Sequence, residues 1–216
     1  MKKVQTGDIC YACGGPSVNV EHAPPRSWFA SKNWSDPFTV PSCVQHNNDN
    51  SKDVEYVRDI LASMSVNDCA NSVWQQGTRP AAEAGRGPVK LLSAKTKVVN
   101  NGDQQVDATD VDTHRIKHVF RAIGDALRFC IYKTPRQHNW FVYAPWLNSH
   151  EEATASKTLI DSEAVAAHWF SQESKAPHCF EWWTSNFNDQ LVLRLQFYDT
   201  VDVFLVERPA NQEPIS

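Results

Sequence analysis

Apolar positions recur at helical spacing most clearly between residues 113 and 132. Ile116, Val119, Phe120, Ile123, Leu127 and Cys130 fall on one stripe, and Arg115, Lys117, Arg121 and Arg128 fill much of the remainder. Thr113 is the expected N-cap of this helix, and Pro135 closes the region. A second stripe, Val54, Val57, Ile60, Leu61 and Met64, predicts a helix over residues 51–64. Ser51 is its expected N-cap, Asp53 and Glu55 lie in its first turn, and its apolar face is expected to cover the hairpin that precedes it. A third helix is expected over 161–173, with Val165, Ala166, Trp169 and Phe170 inward.

Strand signals occupy the intervals. Lys97-Val98-Val99, Asn100-Asn101-Gly102 and Gln105-Val106 read as a hairpin over 95–109. The aromatic run from Trp140 to Trp146 reads as extended, with packing in a core favoured over stacking on bases. Runs at His178–Trp183, Leu191–Tyr198 and Val201–Val206 follow, the last two joined by Asp199-Thr200. In the middle run, Leu191, Leu193 and Leu195 alternate with Val192, Arg194 and Gln196, which predicts a sheet covered on one face. Residues 65–94 contain Gly77, Pro80, Gly85, Gly87 and Pro88 with little periodicity, and read as a long loop carrying Arg79, Arg86 and Lys90. The resulting class is α+β. An amino-terminal element spans residues 1–66, a basic loop-and-hairpin linker 67–112, and a helix-plus-antiparallel-sheet accessory domain 113–216.

Composition narrows the function classes. A chain of 216 residues with 41% hydrophobic content and eight Trp can bury a core. No run approaches the roughly 20 apolar residues that cross a bilayer. Met1-Lys2-Lys3 leads into polar residues rather than a secretory apolar stretch, so the expected setting is cytoplasmic, with no membrane partner. The net charge of −4 does not mark a bulk nucleic-acid binder. Its distribution is uneven. Residues 79–136 carry eleven Lys and Arg against six Asp and Glu, while residues 151–216 carry four against eleven. The basic middle is a candidate phosphate-facing surface, with the helix arginines positioning a backbone and an ordinary solvated surface as the alternative. The acidic carboxyl-terminal sheet would face away from a polyanion and is a candidate surface for a homodimer or a partner protein.

The most informative chemistry lies between Cys10 and Tyr56. Cys10-x-x-Cys13 and Cys43-x-x-His46 are separated by 29 residues, room for a hairpin excursion and return. Gly14-Gly15-Pro16 supplies turn residues after the first pair. Three thiolates and one imidazole make a closed tetrahedral set suited to structural Zn2+; a disulfide or buried thiols are the alternative. Cys69, Cys130 and Cys179 read as small buried thiols. Val18-Asn19-Val20 alternates into Glu21-His22, and Pro24-Pro25 stops the strand. A group that titrates near neutrality therefore sits on a stiff mount. His114 and His118 stand at i, i+4, but HRIKH lacks the Glu of a zinc protease helix, and a polar helix face is the better reading.

Taken together, EHAPPRSWF and VPSCVQHNNDNSK resemble the HNH endonucleases, in particular bacterial members carrying EHxPP and VPxCxxCNN, over roughly residues 8–62. The resemblance implies a zinc-stapled ββα-metal fold. It implies His22 as general base, Glu21 and Asn47 as ligands of a catalytic Mg2+ or Mn2+, and Cys10, Cys13, Cys43 and His46 as the structural zinc set. Arg26 and Lys52 are expected to meet phosphate. The implied activity is hydrolysis of phosphodiester bonds in DNA, with RNA as the other polynucleotide to test, in a setting such as restriction or phage defence. Three positions depart from the family pattern. Glu21 replaces the commoner Asp, His46 replaces the fourth Cys, and Phe38-Thr39 occupy the place of the middle Asn, for which Asn33 is a candidate substitute. A non-catalytic zinc module that binds nucleic acid or protein, and the nuclease subunit of a larger defence complex, are the competing readings.

Overall fold

The computed structural model describes residues 8–30, 38–48, 51–85, 96–101, 104–136, 138–147, 170–171, 176–187 and 189–209. Its class is α+β, with antiparallel sheets throughout. Strands β1 (Asn19–His22) and β2 (Thr39–Ser42) form a short hairpin in which Asn19 faces Ser42 and His22 faces Thr39. Helix α1 (Val44–Asn48) and helix α2 (Ser51–Ser63) follow.

The described part of the region read as a loop, residues 65–85, is mostly helical. Helix α3 (Asp68–Val73), a π-helical turn (Trp74–Thr78) and helix α4 (Arg79–Glu83) run on from one another. Asn67 caps α3 by accepting from the Ala70 N–H at 2.9 Å, and Pro80 sits in the first turn of α4, where a missing N–H costs nothing. Tertiary contact decides this segment, not periodicity: Cys69, Ala70 and Val73 are buried, and Thr78 donates to Asp59 at 2.7 Å. Arg86 and Lys90 lie outside the described residues.

The expected hairpin forms as β3 (Thr96–Asn101) and β4 (Gln104–Thr109). Helix α5 (Thr113–Tyr132) matches the periodic stripe, but its N-cap is Asp112, whose carboxylate accepts from the Arg115 N–H at 3.1 Å, rather than Thr113. Lys133, in the left-handed conformation, ends it two residues before Pro135.

Strands β5 (His138–Tyr143), β6 (Phe170–Ser171), β7 (Phe180–Phe187), β8 (Gln190–Phe197) and β9 (Val201–Pro209) make a sheet in the order β5-β9-β8-β7-β6. Phe170 belongs to an edge strand with Ser171 and is 64% exposed, not inward on a helix; the remainder of that expected helix, 161–169 and 172–173, lies outside the described residues. Leu191, Leu193 and Leu195 of β8 are buried and Arg194 and Gln196 half-buried, as the alternation predicts, but Val192 is buried as well, so the sheet is covered on both faces at that end of the strand. The leucine face packs on α5, where Gly124 makes the approach possible. A Cβ at Gly124 would stand 2.9 Å from both Leu205 Cδ1 and Trp140 Cε2.

The main core is continuous from the amino-terminal hairpin to the sheet. Trp28 meets Phe120 and Phe197 edge-on, and the Tyr198 hydroxyl donates to the Trp28 carbonyl at 2.7 Å. Helix α2 packs on α5, on α3 and the π-helical turn, and on Trp28, whose indole N–H donates to the Val54 carbonyl, more than across the hairpin; Met64 is left 39% exposed. Cys69 and Cys179 are not separate thiols but a disulfide, closing 110 residues between α3 and the turn before β7. Disulfides persist in oxidising compartments, so this pair counts against the cytoplasmic expectation. No helix among the described residues is long and apolar enough to cross a membrane.

The arginines of α5, candidates to position a phosphate backbone, are engaged within the chain, as are two others. Arg115 pairs with Asp53 at 2.6 Å and stacks over Tyr56, and Arg121 donates to the Trp140 carbonyl. Arg128 pairs with Glu207 at 2.6 Å, Arg58 with Asp59 at 2.7 Å, and Arg79 with Glu83 at 2.7 Å. Three acids of the carboxyl-terminal sheet region are likewise matched: Glu207 to Arg128, Asp202 to Arg194 and Asp199 to His178.

Candidate metal centre and adjoining cleft

The two knuckles meet because each is tied to the hairpin. The first turns tightly, with Cys10 N–H donating to Gly15 O and Gly14 N–H to Cys10 O, and Gly14 adopts φ +72° against the ring of Pro135. Tyr11 N–H donates to Pro41 O at 2.9 Å, which anchors this knuckle on β2. The second knuckle begins where β2 ends. Asn47 N–H donates to Cys43 O, so Cys43 immediately precedes the first turn of α1, which brings His46 back over it.

The ligand atoms of Cys10, Cys13, Cys43 and His46 all lie within 4.8 Å of one another. His46 Nδ1 is 3.1 Å from Cys43 Sγ and 3.6 Å from Cys10 Sγ. A tetrahedral zinc with bonds of about 2.3 Å to sulfur and about 2.0 Å to nitrogen needs ligand separations of roughly 3.5–3.8 Å. The group could therefore hold a metal ion such as zinc after small shifts, the widest separations closing and the Cys43–His46 pair opening slightly. The local field favours thiolates at two of the three sulfurs. Burial opposes ionisation of Cys10, but backbone N–H groups of Cys13, Cys43 and Ala12 outweigh it and lower its pKa. The backbone N–H and side chain of His46 lower Cys43. At Cys13 the Gly15 N–H is outweighed by burial and the neighbouring thiols, and the pKa rises. Among the described residues this is the one group of three or more His, Cys, Asp or Glu placed to hold a metal. His114 and His118 are exposed on α5 and belong to no such group.

Beside the cage an open cleft of about 170 Å³ is lined by Val20, Glu21, His22, Pro25, Arg26, Asn47, Ser51 and Val54. Four of the six residues expected to act on a substrate or a second ion, or to flank them, thus share one volume: Glu21, His22, Arg26 and Asn47. Lys52 is exposed at the start of α2 and does not line the cleft, although its carbonyl accepts from Arg115. Asn33 lies outside the described residues, and Thr39 pairs directly with His22 across the hairpin. Ser51 and Val54 enter the cleft from α2, so that the amino end of a 13-residue helix adjoins Arg26 and His22.

The two adjacent titrating groups are tuned in opposite senses. His22 is held below its ordinary value, by burial first and by the Arg26 guanidinium second, which favours a neutral imidazole. Burial pushes Glu21 up, opposed by hydrogen bonds from Tyr11 and Ser42 and by the charge of His46. Ser42 Oγ lies 3.5 Å from Glu21 Oε2 and also donates to the Cys43 carbonyl at 3.2 Å. Tyr11 and Ser42 were invisible as site residues in the sequence; the available signal was that each directly adjoins a cage cysteine. Comparison of the chain with protein-family models, curated proteins and solved structures returns no match.

Proposed function

We propose that the chain is a metal-dependent endonuclease of the HNH type that hydrolyses phosphodiester bonds, DNA first among its substrates. The observation that carries this reading is the shared cleft: Glu21, His22, Arg26, Asn47 and the start of α2 surround one open volume against a Cys/His cage. Zinc in the cage would be structural, since all four positions come from the protein. Glu21 and Asn47 offer the oxygen donors that suit Mg2+ or Mn2+, the remaining positions being left to water and phosphate. When bound there, that ion stabilises charge on the scissile phosphate and the leaving oxygen. His22 accepts a proton as water attacks phosphorus, the bond to the 3′ oxygen breaks, and that oxygen is protonated from solvent. Arg26 and the N–H groups at the start of α2 orient the phosphate.

A general base contributes typically about 10²–10⁴-fold. His22→Ala should therefore reduce nicking of supercoiled plasmid with Mg2+ or Mn2+ by that factor, with zinc content and far-ultraviolet dichroism unchanged. Undiminished cutting by the variant would remove the mechanism. Wild-type protein that binds DNA or RNA without nicking either would support a non-catalytic zinc module instead.

A further inference from the structure

The amino ends of α2 and α5 meet beside the cleft, and an ion pair joins them. Asp53 lies between Ser51 and Val54, the two α2 residues that line the cleft, but does not line it itself. Its half-buried carboxylate is drawn to α5 instead, where Oδ1 accepts from Arg115 Nε at 2.6 Å. Arg115 also donates from Nη2 to the Lys52 carbonyl at 3.0 Å, and its guanidinium carbon lies 4.2 Å from the centre of the Tyr56 ring. Tyr56 is fixed in turn, since its hydroxyl accepts from the Asp112 N–H at 2.8 Å, while Asp112 caps α5 through the Arg115 N–H. A carboxylate, a carbonyl and a ring face thus hold one planar guanidinium in a single place.

An acid in the first turn of a helix ordinarily folds back over the free amides there, as in a capping box, or stands before them as an anion. Either way it competes with a phosphate for the same positive end. We infer that Arg115 is a positioning residue of the cleft: it holds Asp53 sideways, toward α5, so that a phosphate reaches the start of α2 with no carboxylate opposing it. The inference rests on the nuclease reading, which seats the scissile phosphate between Arg26 and that helix start. A plain brace between two helices would lose the same function whichever end of the ion pair is removed. Here the two ends differ. Loss of Arg115 frees a negative charge beside the phosphate, whereas loss of the Asp53 charge frees none and leaves Arg115 its contacts with Lys52 and Tyr56.

The test measures kcat and KM of the full-length, zinc-loaded protein for nicking of supercoiled plasmid in saturating Mg2+, at low and at high ionic strength. Arg115→Ala should raise KM about 10-fold at low salt, the scale of one unit-charge repulsion near a protein surface, and the rise should fade as salt screens it. Asp53→Asn should keep KM close to wild type, and Arg115→Ala/Asp53→Asn should return KM to the Asp53→Asn value. Arg115→Gln, which keeps a donor for the Lys52 carbonyl without the charge, should reproduce the rise; it carries the test where Arg115→Ala melts below the assay temperature. Equal rises in KM for the Arg115 variants and Asp53→Asn would make the pair a brace and overturn the inference. A wild-type KM in the Arg115 variants, or a loss confined to kcat, would overturn it too, and in each of these cases the nuclease reading stands. Wild-type cutting by His22→Ala, or no cutting by wild type, removes the nuclease reading and this inference with it.

Discussion

Asp125 is the buried group whose protonation should be most visible in stability. It sits on α5, 5% exposed, with its Oδ1 accepting from the Trp140 indole N–H at 2.7 Å and its Oδ2 3.5 Å from the Arg136 guanidinium. Burial pushes its pKa from 3.8 up to about 6, although Arg136, Trp140, Arg128 and His46 all pull the other way. The folded chain therefore binds this proton more tightly than the unfolded chain. Between the two values the native state carries more protons, so stability falls as pH rises. The contribution is fully present below the unfolded pKa and is lost as pH rises through the folded one. Two pH units at about 1.4 kcal/mol each amount to about 3 kcal/mol by pH 7, with about half of that already lost at pH 5. Asp125→Asn supplies a neutral side chain that still accepts from Trp140 but gives up the Arg136 contact, itself worth little because Arg136 is 43% exposed. The variant should be more stable than wild type at pH 7 by about 1–3 kcal/mol, and the advantage should shrink steadily toward pH 4. Urea unfolding of both proteins from pH 4 to 7.5 measures this. The difference between the curves isolates Asp125, because acid loss of any cage metal is common to both. A difference that does not change with pH would refute the reasoning.

Three further outcomes follow from the same structure. Gly124→Ala should destabilise by up to about 2 kcal/mol in thermal or urea unfolding: overpacking against Leu205 and Trp140 costs about 1–3 kcal/mol and offsets the ~1 kcal/mol that alanine adds to a helix. Cys43→Ala, or exhaustive chelation of wild type, should abolish tight metal retention in elemental analysis. It should also loosen the region around Tyr11 and Trp28 in near-ultraviolet dichroism, because a structural metal supplies folding energy. In the nicking reaction, the acid limb of kcat/KM should fall below the ordinary imidazole value of 6.5, since burial and Arg26 keep His22 neutral to lower pH. A limb at or above that value would sever His22 from the base role.

What the sequence revealed and what it hid divide along a physical line. Helix α5 was legible because its stripe from Ile116 to Leu127 is local and periodic, and the β3–β4 hairpin because Asn100-Asn101-Gly102 marks a turn. The cage was legible because four ligands in two short spacings are themselves the chemistry. Helices α3 and α4 were hidden. Gly77 and Pro80 read as breakers, and the buried side of the segment is only Cys69, Ala70, Val73 and Thr78; Asn67-Asp68 was the one start signal available. The pairing of Cys69 with Cys179 spans 110 residues and leaves no local trace. The arginines misled for the same reason. Asp53 stands 62 residues from Arg115 and Glu207 stands 79 from Arg128, so a stripe that looked ready for phosphate is occupied by distant acids.

That occupancy bears on how the protein would grip a polyanion. Each phosphate neutralised by a cationic side chain liberates condensed counterions, and the number of such events fixes how steeply affinity drops with added electrolyte. Among the described residues, with Arg58, Arg115 and Arg128 committed to carboxylates, Arg26 is the guanidinium lining the cleft, and contact within the cleft itself would liberate few ions. Association with a polynucleotide should then be weak but tolerant of electrolyte. Residence on it would depend on the cleft rather than on a broad electropositive track.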